Sequence, residues 1–216
     1  MADISSIKRD GPALGIFYES DPVNMSKGKA MIIGPKDTPY EDGFFFFEIQ
    51  LPSTYPMNPP IVKFITGNGN TRFHPNLYVE GKVCLSILGT WAGEPWSPML
   101  GILQVFITIQ SLLDNCPLRH EPAYNSEPAK SPKMTAYNKH IKYAVYETAI
   151  LNQLQTIRHP EFANPMHEHF QKNKEAIIMR CKALATEVQG SDRCNIYNFV
   201  TNFDYTKIIP RLIELV

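Results

Sequence analysis

Four consecutive phenylalanines, at positions 44 to 47, constrain the fold more than any other segment. They open a β-rich run over residues 44–51 that Pro52 ends, and similar runs occupy residues 29–33 and 61–66. Side chains alternate between the two faces of a strand, so two of the phenylalanines must face opposite to the other two. This favours either four core positions or a sheet with helices on one face and a partly aromatic second face. The three runs are separated by turn residues, and together they predict an antiparallel meander.

After residue 97 the apolar residues recur three and four positions apart, which is typical of helices. Residues 97–115 predict a buried central helix, with Ser97 as its cap and Pro98 in its first turn. Further helices are predicted over residues 135–157 and 165–189, and a short one after Asp204. We expect the first helix to be truncated, because Gly11 and Pro12 interrupt it.

The chain has 216 residues, of which 44% are hydrophobic, enough for one well-filled core. We expect a core domain over residues 1–189 and an extension over residues 190–216, whose apolar side chains pack back on the core or form a partner surface. Lys plus Arg equals Asp plus Glu at 21 each, so no net charge attracts nucleic acid or an anionic membrane. Residues 1–6 lack signal-peptide features, and no apolar run reaches the roughly 18 residues of a spanning helix. The sequence therefore predicts an intracellular protein, cytoplasmic or also nuclear, with protein partners.

The cysteines lack the dense spacing of a disulfide-stapled scaffold, which favours free thiols. The four cysteines are Cys84, Cys116, Cys181 and Cys194. A zinc site could combine His167 and His169 with Cys181 and Cys194, since all four are competent ligands. The chain has no C-x-x-C pair, however, and Cys181 falls on the apolar stripe of its helix. We therefore predict no metal site.

Cys84 follows Asn76 by eight positions, with Gly81 between them. An ionised cysteine is the strongest ordinary nucleophile, and the Asn76 amide could stabilise an oxyanion if a turn at Gly81 brings the two together. This arrangement points to acyl transfer. Alternatively, Asn76 pins the loop through hydrogen bonds to the backbone, and both roles can hold together.

The segment from His74-Pro75-Asn76 through the glycine turn to Cys84-Leu-Ser-Ile-Leu resembles the active site of ubiquitin-conjugating enzymes. Residues 34–45 and 55–60 resemble the two proline-rich turns of that family, and Trp96-Ser97-Pro98 resembles its segment before the central helix. Residues 81–91 and Phe203-Asp-Tyr are most similar to the Z-type members. The resemblance implies an α+β ubiquitin-conjugating (UBC) fold, with a four-stranded antiparallel meander backed by a central helix and C-terminal helices.

The same resemblance implies the reaction and its participants. Cys84 would accept ubiquitin or a ubiquitin-like modifier as a thioester and pass it to a lysine amine or a ligase. A ubiquitin-activating enzyme, for the Z-type the alternative one, would supply the modifier and consume the ATP, so no cofactor is expected here. Two rival hypotheses remain, an inactive UBC-fold binding module and a Cys-His hydrolase that pairs Cys84 with His74 or His120.

Several other positions match functional positions of the family. Glu121 resembles an acidic gate that orients and deprotonates the incoming lysine, with His120 as the alternate, although a solvated loop glutamate remains open. His74, Pro75 and Trp96 match structural positions. Ligase docking is implied for Met57, Pro98 and Met99, but both methionines could instead fill gaps in the core.

Overall fold

The computed structural model describes residues 2–215 of the chain. Its strands are β1 (Ile16–Ser20), β2 (Lys27–Ile33), β3 (Phe44–Gln50), β4 (Ile61–Phe64), β5 (Gly190–Cys194) and β6 (Phe199–Phe203). Its α-helices are α1 (Ala2–Asp10), α2 (Ile102–Leu112), α3 (Pro132–Ala144), α4 (Asn152–Gln155), α5 (Ala163–Glu187) and α6 (Tyr205–Glu214). A π-helical stretch, Val145–Leu151, joins α3 to α4. None of the helices within residues 2–215 is long and apolar enough to cross a membrane.

Strands β1 to β4 pair antiparallel in chain order, which confirms the predicted meander. The register places Met31 of β2 between Phe17 of β1 and Phe46 of β3, and Phe47 of β3 opposite Phe64 of β4. The meander has one strand more than the three apolar runs indicated, because β1 contributes only a brief apolar stretch, Ile16 to Tyr18, before two polar residues. The prediction of a four-stranded sheet, drawn from the family resemblance, is correct.

All four phenylalanines of β3 are buried, each with at most 1% of its surface exposed. On one face Phe47 packs against Phe106 of α2, with ring centroids 5.7 Å apart. On the other face Phe46 meets Phe162, just before α5, at 5.9 Å. Helical segments therefore cover both faces of β3, and the expectation of four core positions is confirmed. Burying a phenylalanine contributes roughly 1.5–3 kcal/mol, so this strand anchors the core.

The central helix begins later than predicted, at Ile102 rather than at Ser97. Pro98 is therefore not in its first turn, and Ser97 closes only a local turn by accepting the Leu100 N–H at 2.9 Å. The preceding segment is held elsewhere, because the Trp96 indole donates to the Pro56 carbonyl at 2.8 Å. Helix α3 begins earlier than predicted, since the Ser131 hydroxyl caps it by accepting the Met134 N–H at 3.1 Å.

Helix α1 ends at Asp10, as the glycine and proline that follow require. A side chain at Gly11 would place its Cβ 2.4 Å from the Ile7 carbonyl oxygen and 2.5 Å from that of Ile16. Only glycine permits this close approach of the chain. Ile7 is fully buried, so the short helix is fixed against the core through its apolar side.

The sequence predicts only a short helix in residues 190–216. This prediction is incomplete, because β5 and β6 form an antiparallel hairpin before α6. The hairpin docks on α3, where Lys139 pairs with Asp192 at 2.5 Å and the His140 ring meets the Thr201 hydroxyl at 2.8 Å. In α6 the Leu212 side chain is fully buried. Of the two alternatives for this region, packing back on the core is confirmed for Ile208 and Leu212, whereas Ile213 is 50% exposed.

Candidate active site

A tight turn at Gly81 brings the two halves of the Cys84 segment together, as the sequence predicted. Leu77 and Val83 form an isolated antiparallel bridge across it. Gly81 has φ +101°, and a Cβ there would lie 2.8 Å from the carbonyl oxygen of Phe64 on the neighbouring strand β4. Both the positive φ and the close approach require glycine. The Cys84 N–H then reaches the Asn76 carbonyl at 2.9 Å.

The Asn76 side chain is directed at the backbone of Cys84. Its Nδ2 donates to the Cys84 carbonyl oxygen at 2.8 Å, so two hydrogen bonds join these residues. An amide nitrogen carries two hydrogens, and this bond uses one of them. Asn76 is 9% exposed, and its Oδ1 has no partner among residues 2–215. The geometry thus contains the loop-pinning contact and leaves one N–H for a further acceptor.

The Cys84 side chain is nearly buried, with 2% of its surface exposed. The turn after it is fixed by Thr90, whose hydroxyl accepts the Leu85 N–H at 2.9 Å and donates to the Val83 carbonyl at 2.7 Å. Within residues 2–215, no hydrogen bond connects the Cys84 sulfur to an imidazole. A cysteine-histidine pair of the kind that hydrolases use is therefore not assembled in this structure.

His74 is completely buried, and its Nδ1 accepts the backbone N–H of Asn76 at 3.0 Å. Burial lowers the pKa of His74 well below its usual range, and the neighbouring His120 acts in the same direction. His74 is therefore neutral, with Nδ1 already occupied, and it orients the loop that carries Asn76. His120 pairs through Nε2 with the Asp114 carboxylate at 3.0 Å.

Arg72 lies beside this loop in a contact that the sequence did not indicate. Its guanidinium donates to the Pro75 carbonyl. The same group stacks between two aromatic rings, 3.7 Å from the centroid of Tyr78 and 4.5 Å from that of Tyr197. Tyr197 lies between β5 and β6, so the hairpin contributes to the surroundings of the active-site loop.

Glu121 lies between two short 3-10 helices, Pro117–His120 and Pro122–Tyr124. Its Oε2 accepts a hydrogen bond from the Tyr197 hydroxyl at 2.8 Å. The side chain is thus tethered, and the alternative of a freely solvated loop glutamate is wrong in this respect. The preceding residue, His120, brings its ring within 5.0 Å of the His74 ring. These contacts link Glu121 to the Asn76 loop.

The residues matched to ligase docking are on the surface. Met57 is 70% exposed and Met99 is 93% exposed, so the alternative that they fill gaps in the core is wrong. Pro98 is exposed as well. The two loops that carry them are joined by the bond from Trp96 to Pro56, which places these apolar side chains on neighbouring loops.

Three of the four residues considered for a zinc site, His169, Cys181 and Cys194, are engaged elsewhere or buried. His169 bonds Asp42 through Nε2 at 2.7 Å. Burial raises the pKa of Cys181, in α5, to about 12, and also raises that of Cys194, in β5. A protonated buried thiol is a poor metal ligand. Among residues 2–215, no three His, Cys, Asp or Glu side chains are grouped so as to hold a metal ion.

The fold and this site define a class of protein, and the comparisons agree with it. The chain belongs to the ubiquitin-conjugating enzyme family, whose model matches residues 1–148. Ubiquitin-conjugating enzyme E2 Z of Xenopus tropicalis is 46% identical over 154 residues, covering 71% of this chain and 49% of that protein. The predicted likeness to Z-type enzymes is thereby confirmed, and the chain spans about half the length of these relatives.

Two other proteins extend the comparison. The dual E2 ubiquitin-conjugating enzyme/E3 ubiquitin-protein ligase BIRC6 of Homo sapiens is 36% identical over 183 residues, covering 81% of this chain and 4% of that protein. A crystal structure of a ubiquitin conjugating enzyme E2 from Plasmodium falciparum has 26% identity and a TM-score of 0.45, covering 52% of this chain and 79% of that one.

Proposed function

We propose that this protein carries ubiquitin or a ubiquitin-like modifier as a thioester on Cys84 and transfers it to a lysine amine or to a ligase. The observation that supports this most is the pair of hydrogen bonds that holds Asn76 against Cys84 in a member of the ubiquitin-conjugating family. This pairing joins a nucleophile to an amide donor at one site.

Each transfer exchanges one bond at the carbonyl carbon of the modifier's C-terminus. In loading, the Cys84 thiolate attacks the thioester held by the activating enzyme, a new C–S bond forms, and the enzyme's own thiolate leaves. In discharge, a neutral lysine amine attacks, the C–N bond forms, and the C–S bond to Cys84 breaks. The spare N–H of Asn76 can stabilise the oxyanion of discharge, and Glu121 can receive the proton that the ammonium must lose.

The rival hypotheses receive less support from the geometry. A Cys-His hydrolase needs an imidazole nitrogen that is free to take the thiol proton. The Nδ1 lone pair of His74 already accepts the Asn76 N–H, and burial lowers the pKa of His74, which makes it a weak base. His120 is engaged through Nε2 by Asp114. An inactive binding module would have no use for a cysteine pinned beside an amide donor. The exposed Met57 and Met99 suit ligase docking, and we assign them that role within the proposal.

A charging assay tests the proposal against both rivals. The protein is incubated with ATP, each activating enzyme and each modifier, and we expect an adduct that a reducing agent removes. Cys84→Ser should instead give an oxygen ester that survives reduction, and Cys116→Ala should charge normally. A thiol-labile adduct that persists in Cys84→Ala would show that the wrong cysteine was assigned, and no adduct with any pair would favour a binding module. Consumption of a modifier thioester without an activating enzyme would favour the hydrolase.

A further inference from the structure

The C-terminal hairpin reaches the active-site loop through one side chain, Tyr197. Its hydroxyl donates to Glu121 Oε2 at 2.8 Å, across 76 positions of sequence. Its ring stacks on the Arg72 guanidinium at 4.5 Å and contacts the Tyr137 ring at 5.7 Å. The same side chain therefore touches the candidate gate and the arginine that holds the loop.

The bond from Tyr197 engages one of the two carboxylate oxygens of Glu121. A carboxylate accepts through two oxygens, and Tyr197 occupies only Oε2. Burial raises the pKa of Tyr197, and its bond to Glu121 adds to this, so the hydroxyl stays protonated and remains a donor. The tether thus restricts the rotamers of a long, flexible side chain without blocking Oε1, and this lowers the entropy lost when an amine binds.

We propose that Tyr197 is a positioning residue, which holds the Glu121 carboxylate toward the incoming amine and makes the C-terminal hairpin part of the acceptor site. This inference rests on the proposed function. In the step concerned, the acceptor ammonium gives a proton to Glu121, which passes it to solvent. The neutral amine then forms the C–N bond as the C–S bond to Cys84 breaks.

The hairpin is held firmly enough for this role. Lys139 and His140 of α3 contact Asp192 and Thr201 of the two strands. The Asn70 side chain also donates to the Val200 carbonyl at 3.1 Å, which ties β6 to the loop before Arg72. The hairpin is thus fixed at its strands, while its connecting turn carries Tyr197 to the site.

The test separates the hydroxyl from the ring. Tyr197→Phe removes the bond to Glu121 and keeps the ring contacts with Arg72 and Tyr137, so the fold should persist. Tyr143→Phe is the matched control, because this α3 tyrosine also lies under the hairpin, with its ring 5.4 Å from Phe203, but bonds no active-site residue. Each variant is charged on Cys84, charging is stopped, and loss of the thioester to lysine or to hydroxylamine is followed at several pH values.

Tyr197→Phe should charge like the unmodified protein and discharge to lysine about tenfold more slowly near pH 7, the scale of one hydrogen bond to a charged group. The defect should shrink as pH rises toward the lysine pKa of roughly 10.4, and hydroxylamine, already neutral, should discharge normally. In a Glu121→Gln background the Tyr197→Phe change should add nothing. Tyr143→Phe should discharge normally.

Discharge of Tyr197→Phe that matches or exceeds the unmodified rate would overturn the inference, as would an equal defect with hydroxylamine. Independent, multiplicative effects of the Glu121 and Tyr197 changes would overturn it too, because Tyr197 would then not act through Glu121. If the unmodified protein charges normally and Tyr197→Phe does not change the rate of discharge to lysine, only this inference is wrong. If the unmodified protein forms no thioester on Cys84, the proposed function is wrong as well.

Discussion

Replacing Asn76 by serine separates its two possible roles, because each role predicts a different measurable loss. The substitution removes the 2.8 Å bond to the Cys84 carbonyl and leaves that acceptor unpaired. Such a loss costs about 1–3 kcal/mol of folding free energy. A domain with a stability of roughly 5–15 kcal/mol remains almost entirely folded after this change. Loss of loop pinning alone therefore cannot account for a large kinetic defect through unfolding.

Loss of an oxyanion donor acts on the barrier instead. It should slow discharge to free lysine by roughly one to three orders of magnitude, while loading from the activating enzyme stays near normal. Both rates are followed from the amount of thioester on Cys84, and thermal unfolding gives the stability change.

Thr90→Val provides the matched control for loop pinning. It deletes the hydroxyl that bridges Leu85 and Val83 while keeping the shape of the side chain. We expect a comparable loss of stability, which for a chain of this size lowers Tm by about 2–4 °C per kcal/mol, with loading and discharge affected alike. Asn76→Ser should differ by slowing discharge selectively. If the two variants gave the same ratio of loading to discharge, the oxyanion role would be refuted and only pinning would remain.

Three further predictions follow from the contacts described. Glu121→Ala should slow lysine discharge most near neutral pH and recover toward a pH of roughly 10, whereas a pH-independent defect in the same assay would exclude a role in deprotonation. Gly81→Ala should lower the unfolding free energy by about 2–4 kcal/mol in denaturant titrations, because the positive φ disfavours a side chain and the Phe64 carbonyl lies too close to a Cβ. Gly89→Ala is the control, since Gly89 has a positive φ but open space around it, and it should cost only about 1 kcal/mol. Burial lowers the pKa of His140, the Lys139 charge lowers it further, and Asp192 opposes both effects. Below a pH of about 6.5, His140 therefore binds fewer protons in the folded chain than in the unfolded chain. Stability should therefore fall as the pH is lowered from about 7 to 5, less steeply in His140→Gln, and an unchanged slope in thermal unfolding would contradict this.

The local parts of the fold were predictable because their causes lie within a few residues of sequence. Gly81 between two β-rich runs indicates the turn that brings Asn76 to Cys84. The phenylalanine run indicates a strand of the core, and burial of both its faces is one of the two arrangements that it allows. Strand β6 carried a readable signal, since its sequence Phe-Val-Thr-Asn-Phe is rich in aromatic and β-branched residues. Strand β5 carried none, because its sequence Gly-Ser-Asp-Arg-Cys contains no aromatic or β-branched residue.

Contacts between distant segments could not be read from spacing. The bond from Tyr197 to Glu121 joins a hairpin turn to a loop after the central helix, and no periodicity relates the two positions. The start of α2 was misplaced for a similar reason. Ser97-Pro98 is a good local start for a helix, but the bond from Trp96 to Pro56 holds the chain against another loop, so tertiary structure overrides the local preference.

The same long-range contacts determine how the C-terminal region relates to the active site. The family match ends at residue 148, and the boundary drawn at residue 189 remains a prediction. Contacts nevertheless cross both positions, since Phe162 covers one face of β3 and Tyr197 bonds Glu121. Under the proposed function, loading exchanges one thiolate for another and removes no proton from an amine, whereas transfer to a lysine does and so gains from an oriented carboxylate. We therefore expect residues beyond the family match, Tyr197 among them, to influence the rate of transfer to a lysine more than the rate of loading.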